Sequence, residues 1–125
     1  MQYTMLILLS RVAENMKTIV ALLCVMVAGC QAAQVDIEWV LPYSGDQELC
    51  VAPGDVVNFV YVEGHNVEAV SKEAFDACTA TEHVPVPGPI MWTAPNEESV
   101  TYVICGVAHH CDAGQKIAIT TSHHC

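Results

Sequence analysis

The sequence predicts an all-β sandwich or barrel with one short helix. Apolar and polar residues alternate over several short segments, as they do in half-buried strands. These segments are rich in valine, isoleucine, tyrosine and threonine, which favour strands. Proline and glycine separate them at close intervals, around 53–54, over 85–89 and at Gly114. Short strands with frequent turn signals are typical of this fold class.

The predicted elements follow one another over residues 35–121. The first strand, 35–41, alternates and ends before Pro42, and the second, 55–62, follows the turn at Pro53 and Gly54. A less regular strand over 66–70 leads into a helical turn over 71–77 that Ser71 could cap. Two strands, 99–106 and 116–121, close the domain. The predicted core aromatic residues are Trp39, Phe59, Tyr61, Phe75 and Tyr102.

Residues 16–33 have the layout of a secretory signal. Lys17 precedes an uncharged apolar run over 18–28, and small residues then indicate cleavage near 30–33. We therefore predict an N-terminal extension and signal over 1–32, with Met1 or Met16 as the start, and a secreted domain over 33–125. The alternative is a membrane-spanning helix over 18–35, a marginal length for a span. In a bacterial protein, Cys30 would be a candidate site for lipid attachment.

The charge of the chain restricts its partners. The 125 residues include 4 Lys+Arg and 14 Asp+Glu, a formal net charge of −10. The predicted mature part keeps two lysines against 13 acidic residues, which gives −11. Binding of nucleic acid through its phosphates needs a basic face, so this class is excluded. Such a surface favours either simple solubility or a partner with a positively charged face.

Five cysteines lie in the predicted domain, and a secreted domain normally pairs its cysteines. Because five is odd, at least one is left over. That cysteine should be a reactive thiol, an intermolecular link or a metal ligand. The five are Cys50, Cys78, Cys105, Cys111 and Cys125.

A candidate metal site lies between the last two predicted strands. Cys105 ends a strand, His110 follows five residues later and Gln115 ten residues later, while His65 stands far upstream at the start of another strand. One thiolate and two imidazoles, with a weak axial fourth ligand, form a blue-copper electron-transfer site. The pattern therefore indicates one type 1 copper ion.

At these residues the sequence resembles the phytocyanins, a branch of the cupredoxins, and more narrowly the stellacyanin type. The resemblance runs from Trp39 to Thr121, and the spacing Cys-x4-His-Cys-x3-Gln is quite specific. It implies a Greek-key antiparallel β-sandwich or barrel. The other matching pieces are Ala52-Pro-Gly-Asp-Val-Val-Asn-Phe, His65-Asn-Val, Phe75-Asp-Ala-Cys78 and Tyr102-Val-Ile-Cys105.

The resemblance also implies the roles of the site residues. Copper would be bound by His65, Cys105 and His110, with Gln115 in the axial position that Met holds in many relatives. A disulfide between Cys78 and Cys111 is likewise implied by the family.

The family pattern does not assign a role to several other candidate residues. Cys50 and Cys125 remain as a pair by counting alone. His109 competes with His110, although the spacing to Gln115 favours His110. Met91 is the rival axial ligand, since thioether is the commoner choice, but beside Trp92 it is more simply explained by core packing. Solvated positions are expected for His83, His123 and His124.

The resemblance implies an electron carrier rather than an enzyme, with one-electron transfer between Cu(II) and Cu(I) outside the cytoplasm. No general base, nucleophile pair or open substrate position is visible in the sequence. We expect a monomer that meets a redox protein or small redox molecule over a small, transient interface. The alternatives are a copper-binding or delivery module, a disulfide-stapled interaction domain and a zinc protein.

Overall fold

Seven strands and one short helix make up the part of the chain that a computed structural model describes, residues 31–125. Ala32–Cys125 forms one compact unit. Cys30, most of the predicted signal over 1–32 and most of the alternative span over 18–35 lie in residues 1–30, outside the described range. The elements are β1 (Gln34–Glu38), β2 (Glu48–Val51), β3 (Val56–Val60), β4 (Glu68–Val70), α1 (Lys72–Ala77), β5 (Ile90–Thr93), β6 (Ser99–Ile104) and β7 (Lys116–Thr121).

The strands form two sheets, which confirms the predicted fold class. One sheet has the order β1-β3-β5 and the other β2-β7-β6-β4. Three of the five strand pairings are antiparallel, as expected, whereas β1 pairs with β3, and β2 with β7, in parallel. The chain leaves the first sheet after β1, forms β2 in the second and returns as β3. It therefore reverses twice, and β3 runs in the direction of β1.

The core fills the space between the sheets. Trp39 and Phe59 are fully buried, with ring centroids 5.0 Å apart in an edge-to-face arrangement. Tyr61 is also buried, as predicted. Phe75 and Tyr102 are only half-buried, with tilted rings whose centroids lie 5.2 Å apart, so their prediction as core residues is wrong. Phe75 belongs to α1, which lies against β6 and covers Tyr102 there.

The short helix has the predicted cap. The Ser71 side chain accepts a hydrogen bond from the Ala74 N–H at 3.1 Å, which satisfies one donor of the first turn. Cys78 ends the helix in the left-handed conformation, with φ of 52°, and its N–H donates to the Ala74 carbonyl. This ending turns the chain so that Cys78 can reach the loop after β6.

Four of the five cysteines form two disulfides, with the expected pairing. Cys78 is bonded to Cys111, with 5.6 Å between the Cα atoms, and Cys50 to Cys125, with 5.5 Å. Among the described residues the free cysteine is Cys105, which is buried. Within residues 31–125, no helix is long and apolar enough to cross a membrane.

Candidate metal centre

The backbone brings the predicted site residues together at one end of the second sheet. Cys105 directly follows β6 and Gln115 directly precedes β7. These strands pair with Ile104 opposite Lys116, and the Cys105 N–H donates to the Gln115 carbonyl at 3.1 Å. His65 lies on the segment that leads to β4, the strand that pairs with the other edge of β6. The remote histidine therefore meets the loop through neighbouring strands.

The loop between β6 and β7 is folded tightly around His110. The His110 N–H donates to the Val107 carbonyl at 3.1 Å, and the Gln115 N–H donates to the His110 carbonyl at 3.0 Å. Gly114 has φ of 94°, a conformation that favours glycine. The disulfide at Cys111 fixes the loop immediately after His110.

The side chains converge on one small space. Cys105 Sγ lies 3.4 Å from His110 Nδ1 and 3.9 Å from His65 Nδ1. The three ligand atoms all lie within 4.8 Å of one another. Gln115 is fully buried, and its Oε1 is 3.0 Å from His65 Nδ1. The structure thus assembles a sulfur, two imidazole nitrogens and an amide oxygen.

Burial sets the electrostatics of this group. It raises the pKa of the Cys105 thiol, and the backbone N–H groups of Asn66 and Val107 oppose the rise only in part. Burial also lowers the pKa of His110, and so does the neighbouring His65. A neutral imidazole has a free lone pair for a metal, and a bound cation favours the thiolate form of a buried thiol.

The donor set fits a copper ion. A thiolate with two imidazoles and a weak axial group is the ligand set of blue-copper sites. Gln115 gives a further indication of a metal site. Its Nε2 is buried without a hydrogen-bond partner, while its oxygen faces the ligand atoms. An unpaired buried amide nitrogen is costly, and a metal bound by the amide oxygen would offset that cost.

The rival ligand candidates do not lie among the converging side chains. The His109 side chain is 95% exposed and lies 3.4 Å from Asp112, so it points away from Cys105. Met91 is 60% exposed on β5, opposite Asn58, and its interpretation as core packing is wrong. Trp92, in contrast, packs against the core. His83, His123 and His124 are exposed.

Two residues without a predicted role at the metal centre, Asn66 and the core residue Tyr61, support the site. Asn66 is buried, and its Oδ1 accepts a hydrogen bond from the Gly106 N–H at 2.6 Å, which ties the segment of His65 to that of Cys105. The Tyr61 ring packs edge-to-face against the His65 ring, with centroids 5.7 Å apart. The position of Asn66 directly after His65 was the one available signal.

Comparison with known proteins agrees with this geometry. The plastocyanin-like domain matches residues 47–115, more than half of the chain. The chain belongs to the plastocyanin-like family. Within it, this protein is a phytocyanin-type cupredoxin, and its cofactor is copper.

The relatives come from plants. Uclacyanin-2 of Arabidopsis thaliana is 29% identical over 89% of this cupredoxin, which spans 58% of that relative's length. Stellacyanin of Toxicodendron vernicifluum is also 29% identical, with 67% of this chain and 88% of the relative covered.

Two solved structures share the fold. Spinach plantacyanin has a TM-score of 0.60 at 29% identity, covering 72% of this chain and all of its own. Cucumber stellacyanin, whose structure contains Cu²⁺, has a TM-score of 0.59 at 27% identity, with 73% and 96% covered.

Proposed function

We propose that this cupredoxin is a blue-copper electron carrier that works outside the cytoplasm, and that His65, Cys105, His110 and Gln115 are the residues that would hold the copper. The observation that carries the proposal is the convergence of the three ligand atoms within 4.8 Å beside the buried Gln115 oxygen. An ion in this site supplies a one-electron couple between Cu(II) and Cu(I).

The protein's part is to hold the ligands still. Cys105 and Gln115 are anchored to each other by the β6–β7 ladder, and Asn66 ties the His65 segment to Gly106. The disulfide at Cys111 restrains the loop that carries His110. Ligands fixed by neighbouring strands need little rearrangement when the charge of the site changes, which favours fast electron transfer.

The exposure of the ligands indicates where a partner makes contact. Cys105 and Gln115 are fully buried, whereas both imidazoles are half-buried. A redox partner can therefore reach the site through an imidazole edge, a role that the resemblance to the phytocyanins implies for His110. We expect a monomer with a partner that has a positively charged face, because the domain carries two lysines against 13 acidic residues.

The disulfides support an extracytoplasmic location. Two bonds, Cys50–Cys125 and Cys78–Cys111, lie in a domain of fewer than 100 residues. Such bonds persist in oxidising compartments and are rare in the cytosol. This agrees with the secretory pattern over 16–33.

The absorption spectrum of residues 33–125 tests the proposal. One equivalent of Cu(II) should give an intense blue colour from Cys105 thiolate-to-copper charge transfer. Cys105→Ser should abolish the colour, because a hydroxyl oxygen does not give this transition, while His109→Ala, a matched control in the same loop, should keep it. A blue Cys105→Ser variant would disprove the ligand assignment, and a colourless wild type that binds zinc would support a zinc protein.

A further inference from the structure

The carboxylate of Glu68 is a buried charged group next to the metal centre. Glu68 begins β4 opposite Ile104, the residue before Cys105, and its side chain is 9% exposed. Neither lysine of residues 31–125 pairs with it, since Lys72 binds Asp76 and the Lys116 ammonium donates to the Phe75 carbonyl. Burying a charge is expensive unless hydrogen bonds compensate for it.

Those hydrogen bonds come from one loop. Glu68 Oε1 accepts from the Thr81 N–H at 2.8 Å and from the Thr81 hydroxyl, and Oε2 accepts from the Glu82 N–H at 3.3 Å. Burial alone would raise the pKa of Glu68, but these donors, with nearby His83, outweigh it and lower the pKa. The side chain is therefore a carboxylate at neutral pH.

The loop that Glu68 holds reaches the ligands through Asn66. The Asn66 Nδ2 donates to the Glu82 carbonyl at 3.0 Å and to the Val84 carbonyl at 3.2 Å. Its Oδ1 accepts from Gly106, the residue after Cys105. A continuous hydrogen-bonded path thus runs from the Glu68 carboxylate to the backbone on both sides of the centre, beside His65 and beside Cys105.

The carboxylate also lies close to the Cys105 segment directly. A Cβ added at Gly106 would overlap the Glu82 carbonyl and would lie 2.8 Å from Glu68 Oε2. A negative charge in such a poorly solvated place interacts strongly with nearby charges and favours the more positive state of a metal.

We propose that Glu68 is a positioning residue of the metal centre, whose buried carboxylate holds residues 81–84 and Asn66 against Gly106 and biases the site toward the oxidised ion. The inference rests on the proposed function, because it concerns the copper couple. A merely structural anchor would hold the loop without changing the preference of the site for the oxidised ion. The reduction potential therefore distinguishes a positioning residue from a structural anchor.

The first arm of the test uses metal-free protein, residues 33–125, which contains the seven strands and the two disulfides that the structure describes. Amide hydrogen exchange at Gly106 should be at least about tenfold faster in Glu68→Gln, because the amide keeps the shape but loses one acceptor and the charge. Thr81→Val, which keeps the carboxylate, should accelerate the same exchange less. Glu97→Gln, which removes an exposed carboxylate, is the matched control and should leave Gly106 unchanged.

The second arm measures the reduction potential of the copper forms. Glu68→Gln should shift the preference toward Cu(I) by about tenfold, a rise of about 59 mV for a one-electron couple. Thr81→Val should shift it less than Glu68→Gln, and Glu97→Gln should leave it unchanged.

Two results would overturn the proposal: a Glu68→Gln potential shift no larger than that of Glu97→Gln, or an unchanged Gly106 exchange rate. If Glu68→Gln does not fold, Thr81→Val decides, and wild-type exchange at Gly106 in that variant counts against the proposal. Failure of the wild type to take up copper would overturn the proposed function and the bias with it, while the exchange data would still decide the positioning role.

Discussion

At Gln115, a fully buried amide presents its oxygen to the ligand atoms and leaves its nitrogen without a hydrogen-bond partner. An amide oxygen is a harder donor than a thioether, so it favours Cu(II) over the softer Cu(I). In the proposed site, Gln115 would thus stabilise the oxidised ion at a cost to the metal-free fold, since an unpaired buried amide nitrogen destabilises the protein.

Replacement of Gln115 by Met should separate these two effects. The reduction potential should rise by about 59 mV or more, a tenfold change in preference between oxidation states. The metal-free protein should unfold at the same or a higher denaturant concentration, because the unpaired amide nitrogen is removed. Cyclic voltammetry and urea unfolding measure the two quantities. Met91→Ala is the control, and a large potential shift in that variant with none in Gln115→Met would assign the axial position to Met91.

Glu68 should make the unfolding free energy of the protein depend on pH in the acidic range. Its pKa is lowered in the folded state by Thr81 and Glu82, so its contribution is complete above the unfolded pKa, about 4.3, and is lost as the pH falls through the lower folded value. The difference in unfolding free energy between metal-free wild type and Glu68→Gln should therefore shrink with falling pH. A difference that stays constant between neutral pH and about pH 3 would contradict this linkage.

Among the elements, periodicity predicts the longer strands best, while the three-residue β4 lies within the less regular predicted strand 66–70. The six residues of β6 and of β7 lie within the predicted 99–106 and 116–121. β2 and β5 escape prediction, because four residues contain only two alternations and β5 directly follows Pro89. The candidate ligands could be predicted because chemistry restricts their residue types. Burial of Asn66 and Glu68 could not, since a polar residue is buried only where a particular backbone satisfies it.

The two disulfides should affect stability alike but the metal centre differently. Cys78–Cys111 closes a separation of 33 residues and Cys50–Cys125 one of 75, which corresponds to about 3.8 and about 4.5 kcal/mol in the chain-entropy picture. Replacing either pair with alanine should lower the unfolding free energy by roughly these amounts. Only the Cys78/Cys111 variant should broaden the copper absorption band, because Cys111 directly follows His110. An equal spectral change in the Cys50/Cys125 variant would show that the effect is not local.

At the scale of the whole molecule, the charge is strongly one-sided. Of the two lysines in residues 33–125, Lys72 pairs with Asp76, and Lys116 lies over the Phe75 ring with its nitrogen 4.7 Å from the centroid. Most of the 13 acidic side chains are exposed and have no lysine partner among the described residues. The domain therefore has a net negative field that attracts cations at low salt.

This field should decide how the rate of electron transfer responds to salt. Oxidation of the reduced protein by a cationic cobalt(III) tris-phenanthroline complex should slow as ionic strength rises, because salt screens an attraction over about 10 Å at 0.1 M. Oxidation by ferricyanide, an anion, should accelerate over the same range, because salt then screens a repulsion. Stopped-flow absorbance of the blue band measures both rates, and Glu97→Gln should weaken both dependences slightly. If the two oxidants showed the same trend, the electron would leave from a surface that does not feel the net charge, and the expectation of a positively charged partner would fail.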